Sequence, residues 1–158
     1  RRERDRYETP IQATESLLEY LDLDLVESFL EPCKASGNIF NMIDVETKYW
    51  AEIDQGVDYL NTDFPPVDLI ITNPPFSLAQ EFITKALLQS NTCCMLLRLN
   101  FLGSQKRRAW WQDNEPTHLL VLSKRPSFTN GGTDATEYAW YIWDSEGVCT
   151  LPPGIYVI

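Results

Sequence analysis

One segment constrains the fold of this chain more than any other: the apolar run at residues 67–72, which is followed directly by Asn73-Pro74-Pro75-Phe76. The run is rich in β-branched residues, which is typical of a strand buried on both faces of a parallel sheet. Proline has no N–H to donate to a sheet ladder, so the strand has to end at the Pro-Pro pair. The apolar spacing of Phe82, Ile83, Ala86 and Leu87 then predicts a helix. Together these features predict a strand, a stiff turn and a helix.

The same alternation recurs along the chain. Helix starts are predicted at two capping-box patterns, Thr9-Pro10-Ile11-Gln12 and Ser77-Leu78-Ala79-Gln80, and a further helix at residues 105–113. Strands are predicted at residues 26–32, 48–53, 67–72, 93–99, 118–122 and 138–143. Alternating strands and helices predict an α/β fold with a doubly wound, mostly parallel sheet and an antiparallel C-terminal strand. Ligands of such sheets bind at the carboxyl ends of the strands.

Length and composition limit the remaining possibilities. With 158 residues the chain fits a single domain spanning residues 1–158, with no room for a separate second one. No apolar run approaches the roughly 20 residues of a membrane span, and the basic opening does not resemble a signal peptide. The four cysteines show neither metal-ligand nor disulfide spacing, so we expect free thiols, no metal and a cytoplasmic location.

The charge of the chain bears on which kind of partner it can bind. The formal net charge of −10 disfavours contact with nucleic acid over the surface as a whole. Basic residues nevertheless cluster at 106–108 and at 124–125. Each cluster is as compatible with solvated charge as with a contact to phosphate.

The Asn-Pro-Pro-Phe segment carries the clearest chemistry. Two prolines after a buried strand fix the backbone and leave carbonyl groups without a local N–H partner. The Asn73 side-chain carbonyl and the Pro74 main-chain carbonyl then form an acceptor pair for an amine, and Phe76 offers a ring on which a base can stack. The alternative is a rigid turn with Phe76 in the core.

Here the chain resembles the S-adenosylmethionine-dependent N6-adenine DNA methyltransferases. Asn73, Pro74, Pro75 and Phe76 match the catalytic motif of that family, and Asn73 also borders its cofactor site. The family's cofactor loop is matched by Glu31, Pro32, Cys33 and Gly37. The chain departs from that loop at Lys34 and Ala35, where small residues and a glycine are usual. The resemblance implies a Rossmann-like class I methyltransferase fold and S-adenosylmethionine as the cofactor.

The resemblance implies further cofactor contacts. The segment that wraps the cofactor from the N-terminal side is matched by Tyr7, Thr9 and Pro10. Glu52 matches the acid that binds the ribose hydroxyls. Asp58 resembles the residue that reads the cofactor's adenine amine, and Asp63 is a less favoured candidate for that role.

The order of these segments is that of the gamma-type enzymes, and the polar loop at 125–138 is similar to one that small phage-type enzymes place at the mouth of the site. The resemblance implies that Arg125 and Phe128 contact the acceptor there, alongside Phe76. Phe128 is equally compatible with packing over the sheet. No separate target-recognition domain fits the length, so specificity is expected to be short, relaxed or supplied by a partner.

The sequence therefore predicts methyl transfer to the N6 amine of adenine in DNA, in a bacterial or phage-infected cell. Two alternatives stay open. One is a methyltransferase acting on RNA bases or on a protein glutamine amide, and the other is a non-catalytic subunit paired with an active enzyme. A homodimer is compatible with the sequence as well.

Overall fold

The computed structural model describes residues 8–128 and 136–158, and within these ranges seven strands form one sheet in the order β2-β1-β3-β4-β6-β5-β7. The strands are β1 (Ser28–Glu31), β2 (Thr47–Trp50), β3 (Val67–Thr72), β4 (Ser90–Arg98), β5 (His118–Val121), β6 (Tyr138–Asp144) and β7 (Gly154–Val157). All neighbouring pairs are parallel except those of β6, which is antiparallel to both β4 and β5. The predicted mostly parallel α/β sheet is confirmed.

Helices cover both faces of this sheet. They are α1 (Ile11–Leu18), α2 (Ala79–Gln89) and α3 (Arg108–Asp113), joined by short 3-10 turns. Helix α1 packs on one face through Ala13 and Leu17, while α2 and α3 pack on the other. The indole N–H of Trp140 in β6 donates to the Ala13 carbonyl at 2.9 Å, which fixes α1 over the middle of the sheet.

The apolar run of β3 is explained by burial on both faces. Ile70 points into the core on the α2 side, while Leu69 and Ile71 point into the core on the α1 side, and all three are fully buried. Removing this apolar surface from water is the main contribution of β3 to stability. The prediction of a buried parallel strand is confirmed.

Both predicted capping boxes are wrong. Helix α1 begins at Ile11 with Pro10 in the capping position, and α2 begins at Ala79 with Leu78 in that position. Neither position makes a side-chain cap hydrogen bond. At α2 the reason is the 3-10 turn at Phe76–Leu78, which the Pro-Pro pair leads into and which moves the helix start past Ser77.

The predicted bounds differ from the structure mainly at the C-terminal side. The helix predicted at 105–113 begins as a 3-10 turn, Gln105–Arg107, before α3. Strand β7 was not predicted at all, because it is a four-residue edge strand with alternating half-buried and exposed residues. The antiparallel strand β6 thus lies inside the sheet, and a further parallel strand follows it in sequence.

All four cysteines are free and buried, as the spacing predicts. Burial raises the pKa of the Cys93 and Cys94 thiols well above the ordinary value, so both stay protonated. Among the described residues, no helix is both long enough and apolar enough to cross a bilayer.

Candidate active site at the carboxyl edge of the sheet

The predicted site residues come together at one edge of the sheet. Strands β1, β3 and β4 are parallel, so their last residues, Glu31, Thr72 and Arg98, lie at the same edge. The first residue of antiparallel β6, Tyr138, pairs with Arg98 and reaches that edge too. The turn after each of these strands therefore contributes to one site.

The turn at Asn73-Pro74-Pro75-Phe76 directly follows β3. Asn73 is half-buried, the two prolines are buried, and the Phe76 ring is 45% exposed. The Pro75 carbonyl accepts a 3.0 Å hydrogen bond from the Leu78 N–H, so it is not a free acceptor. Within the described residues, neither the Asn73 side chain nor the Pro74 carbonyl oxygen has a hydrogen-bond partner. These two oxygens are available to bind an amine.

A narrow cleft of about 20 Å³ adjoins this turn. This volume is well below that of small-molecule sites, so the cleft has to widen before it can admit a ligand larger than water. Four of its lining residues were predicted from the sequence, and four were not. The lining residues are Pro32, Cys33, Ile53, Asp58, Tyr59, Pro75, Leu78 and Phe82. The cleft joins the turns after β1, β2 and β3 into one site.

The turn after β1 is tightly folded. Gly37 has φ +102°, and a Cβ there would come within 2.9 Å of the Asn41 amide nitrogen, so glycine is required. Ala35 also has a positive φ, +52°, in a region that an L-residue with a side chain adopts at a cost. Ala35 stands where the family that the chain resembles usually has a glycine, and it keeps a backbone conformation typical of glycine.

The Glu52 carboxylate ties two turns together. Glu52 is 3% exposed. Its Oε1 accepts from the Ala35 N–H at 2.8 Å, and its Oε2 accepts from the Asp54 N–H at 3.0 Å. The neighbouring Ile53, rather than Glu52, lines the cleft. The predicted contact of Glu52 with ribose stays a prediction, and the structure gives this carboxylate a second role in holding the turn after β1. Glu31, at the end of β1, is fully buried.

Asp58 and Tyr59 form the opposite wall of the cleft. Asp58 Oδ1 accepts from the Leu60 N–H at 3.2 Å, and Asp58 begins a 3-10 turn. Tyr59 is buried, and its hydroxyl donates to Gln89 on α2 at 2.7 Å. Burial raises the pKa of Tyr59, so its hydroxyl stays a donor. Asp63, the less favoured candidate, is exposed and does not line the cleft.

The N-terminal segment lies beside the turn after β1. Glu8 accepts from the Ser36 hydroxyl at 2.6 Å, and the Thr9 carbonyl accepts from the Asn38 side chain at 3.0 Å. Pro10 lines a separate groove of about 340 Å³ formed with residues 122–127. Tyr7 lies outside the described residues. The cofactor contacts predicted for Thr9 and Pro10 stay predictions.

A row of aromatic and basic side chains continues from the turn at residues 73–76 toward β6. The Arg98 guanidinium carbon lies 4.8 Å from the centre of the Phe76 ring, and Arg98 Nε donates to the Tyr138 hydroxyl at 3.3 Å. The Phe128 ring lies 4.8 Å from the Tyr138 ring. Sequence reasoning missed Arg98 and Tyr138. The signal was a charged residue ending an otherwise apolar strand at the ligand-binding edge.

Arg125 is engaged within the protein. It forms an ion pair with Glu137 at 2.5 Å, and this hydrogen bond holds the pKa of Glu137 below its usual value. Phe128 packs on the core cluster of the α1 face, which is the packing alternative considered for it. The rest of the predicted loop, residues 129–135, lies outside the described residues. Acceptor contacts by Arg125 and Phe128 stay predictions.

The basic cluster at 106–108 divides into two kinds of residue. Arg107 lies over the Phe101 ring at 4.0 Å and donates to the Phe101 carbonyl. Lys106 and Arg108 are exposed to solvent, on the segment that follows β4. In residues 8–128 and 136–158, no group of His, Cys, Asp or Glu side chains has an arrangement that could hold a metal ion.

Comparisons with known proteins establish the fold. No protein-family model and no curated protein sequence matches the chain. A candidate RNA methyltransferase from Pyrococcus horikoshii superposes with a TM-score of 0.68 at 16% identity, over 90% of this chain and 89% of that one. A candidate class I S-adenosylmethionine-dependent methyltransferase from Listeria monocytogenes gives 0.70 at 15% identity, over 97% of this chain and 65% of that one.

A dimethyladenosine transferase from Plasmodium falciparum gives a TM-score of 0.57 at 11% identity, over 86% of this chain and 62% of that one. The chain thus spans slightly under two thirds of the length of the Listeria and Plasmodium proteins. These identities are too low to transfer a substrate. The likeness confirms the predicted class I methyltransferase fold.

Proposed function

We propose that this chain transfers a methyl group from S-adenosylmethionine to the N6 amine of adenine in DNA. One observation carries the proposal. At the end of β3, the Asn73 side chain and the Pro74 carbonyl have no partner among the described residues, and they are followed by Pro75, which lines an apolar cleft, and by the exposed ring of Phe76. An amine donor held by these two oxygens has a methyl-donor site on one side and a stacking surface on the other.

The residues that line the cleft suit the adenosyl part of the cofactor in their chemistry, and the cleft has to widen to admit it. Ile53, Leu78 and Phe82 supply flat apolar walls for a purine, and Asp58 supplies a carboxylate for its amine. Asp58 retains acceptor capacity beyond its bonds to Leu60 and Asn61, because each carboxylate oxygen has two lone pairs. Glu52 does not fit its family role equally well, since it is 3% exposed and does not line the cleft.

The chemistry asks little of the protein beyond positioning. The cofactor supplies an electrophilic methyl group on a sulfonium. The adenine amine is a poor nucleophile because its lone pair is delocalised into the ring. Accepting both N–H hydrogens at Asn73 and Pro74 favours a tetrahedral nitrogen, whose lone pair forms the new N–C bond as the S–C bond breaks. The methylated amine then releases one proton to solvent, so no general base is required.

The target base has to leave the duplex before it reaches this turn. Phe76 offers a partly exposed ring for the extruded base, and base stacking on an aromatic ring is worth about 1–3 kcal/mol. Three exposed cations, Lys106, Arg108 and Lys124, lie on segments that follow β4 and β5 at the same edge. These cations attract the phosphates of a nucleic acid locally. That attraction offsets the repulsion expected from the net charge of −10.

An RNA base is the second candidate acceptor. The Pyrococcus structure is that of a candidate RNA methyltransferase, and the Plasmodium structure is that of a dimethyladenosine transferase. The acceptor pair and the Phe76 ring serve an adenine in either nucleic acid. A protein glutamine amide also suits the acceptor pair, but it makes no use of an exposed ring.

A methyl-transfer assay tests the proposal. Radiolabelled S-adenosylmethionine is offered with single-stranded DNA, double-stranded DNA, RNA and a protein extract in parallel, with Asn73→Ala as the matched control. We expect label in DNA as N6-methyladenine, absent with Asn73→Ala. Label confined to RNA or to protein would overturn the assignment to DNA while keeping the reaction.

Calorimetry with S-adenosylmethionine separates an enzyme from a non-catalytic subunit. We expect heat of binding at sub-millimolar cofactor, and weaker binding for Asp58→Ala. Absence of binding would favour a scaffold that pairs with an active partner and would exclude the catalytic proposal for the isolated chain.

A further inference from the structure

The geometry points to Arg98 as a positioning and specificity-determining residue, which holds the Phe76 ring so that one face alone is open to a flat heteroaromatic acceptor. The inference rests on the proposed function and adds a residue and an acceptor class to it. Arg98 belongs to none of the segments that resemble a methyltransferase motif. It is the last residue of β4, next to the strand that carries Asn73.

Phe76 needs an external support. It lies on a short 3-10 turn with nearly half of its surface exposed, and the two prolines before it fix the backbone but not the ring. In the described part of the chain, no other aromatic ring contacts it. The Arg98 guanidinium, 4.8 Å from the ring centre, supplies a cation–π contact on one face.

Hydrogen bonds hold both the backbone and the side chain of Arg98 in place. The buried Tyr141 donates its hydroxyl to the Arg98 carbonyl at 2.8 Å and to the Leu99 carbonyl at 3.1 Å, which anchors the backbone. The side chain is oriented by the hydrogen bond from Nε to the Tyr138 hydroxyl. Because guanidinium is planar and pre-organised, little further freedom is lost when it lies against a ring. Arg98 is thus a rigid support for Phe76.

The consequence concerns the acceptor. With one face of Phe76 covered by guanidinium, a base stacks on the opposite face only, and its amine is brought to the Asn73 and Pro74 oxygens from one direction. A planar base gains from such a surface, whereas a flexible amide side chain does not. Arg98 therefore favours a nucleobase over a protein amide without touching the reacting atoms.

The test combines a structural and a kinetic measurement. The variants are Arg98→Met, which removes the cation at similar length, and Arg98→Lys, which keeps the charge without the planar group. The control is Gln112→Met, which introduces the same side chain at an exposed position of α3. We expect Arg98→Met to raise the KM for the acceptor about threefold to tenfold, the range of a partly exposed cation–π contact. Arg98→Lys should raise this KM less than Arg98→Met does. Neither variant should change the Kd of the cofactor.

The structural measurement needs no turnover. With 4-fluorophenylalanine at position 76, the fluorine resonance should shift in Arg98→Met and stay in place in Gln112→Met. An unmoved resonance, an unchanged KM, or a lowered KM that marks Arg98 as a gate would each overturn the inference. Failure of the proposed function is distinguishable, because the wild-type protein would then methylate protein alone. In that case the inference about Arg98 fails together with the proposed function.

Discussion

The main-chain N–H of Ala35 donates a 2.8 Å hydrogen bond to Oε1 of Glu52, and this contact joins the turn after β1 to the turn after β2. Ala35 has φ +52°, a backbone conformation that glycine adopts without strain. The hydrogen bond helps to hold an alanine where the related enzymes use glycine. The turn is therefore strained but fixed.

We predict that Ala35→Gly stabilises the protein. Relief of the left-handed strain outweighs the added entropy of the unfolded glycine chain, and the net gain should be about 0.5–1 kcal/mol. The matched control is Ala109→Gly, at an exposed position in α3, which should cost about 1 kcal/mol. Urea unfolding gives both values. A loss of stability in both variants would show that Ala35 is not strained.

Asn73→Ala should abolish turnover while leaving cofactor binding nearly intact. Asn73 has no partner among the described residues, so its removal exposes no buried group and disturbs only the acceptor site. Loss of one preorganised polar group that acts in the transition state lowers kcat about 100- to 1,000-fold. Asn91→Ala, at the opposite end of the sheet, is the control and should keep the wild-type rate. Wild-type kcat in Asn73→Ala would remove this residue from its role.

Lys85→Met should lower both the stability of the protein and the affinity of the cleft for S-adenosylmethionine. Lys85 Nζ donates to the carbonyl oxygens of Tyr59 and Thr62, and it lies 4.4 Å from the centre of the Tyr59 ring. Loss of these charge-assisted bonds should destabilise the protein by about 1–3 kcal/mol. Because Tyr59 lines the cleft, the Kd for S-adenosylmethionine should rise as well, whereas Lys106→Met, at an exposed site, should change neither quantity. Thermal unfolding and calorimetry provide the two readings.

Periodicity and proline placement were sufficient to predict the core of this fold. The β-branched run of β3 is buried on both faces, and the Pro-Pro pair ends it where the site begins. Strand β7 escaped prediction because an edge strand buries only alternate residues. The start of α2 escaped it because a 3-10 turn, closed by the hydrogen bond from the Leu78 N–H to the Pro75 carbonyl, displaced the expected cap.

The candidate site likewise divides into residues that the sequence predicts and residues that it does not. Segments with fixed sequence order, such as those of Pro32, Asp58 and Pro75, were predicted and share one cleft. Arg98 and Tyr138 were not, because they are brought together by the antiparallel pairing of β4 with β6. A pairing between strands far apart in sequence leaves no local pattern. Glu52 was identified, but its burial and main-chain bonds were not foreseeable from a single acidic residue after a strand.

A carboxylate away from the site governs stability at low pH. Asp144 ends β6, and its two oxygens accept four hydrogen bonds, one from a side-chain hydroxyl and three from the main chain of the following turn. The donors are Thr92 at 2.9 Å, Glu146 at 3.2 Å, Val148 at 3.1 Å and Cys149 at 2.8 Å. Partial burial alone would raise the pKa of Asp144, but these donors outweigh burial and lower it.

We therefore predict that Asp144→Asn destabilises the protein near neutral pH and that the difference disappears in acid. A carboxyl group with a lowered pKa in the folded state stabilises the protein above its unfolded pKa of about 3.9, and this contribution is lost as pH falls through the folded pKa. The free energy of unfolding in urea, measured from pH 7 to pH 2, should converge for wild type and Asp144→Asn as the pH falls through the lowered pKa of the folded state. Glu146→Gln, an exposed carboxylate in the same turn, is the control and should follow the wild-type curve. A difference between wild type and Asp144→Asn that is constant over this range would show that the ionised form is not what the turn binds.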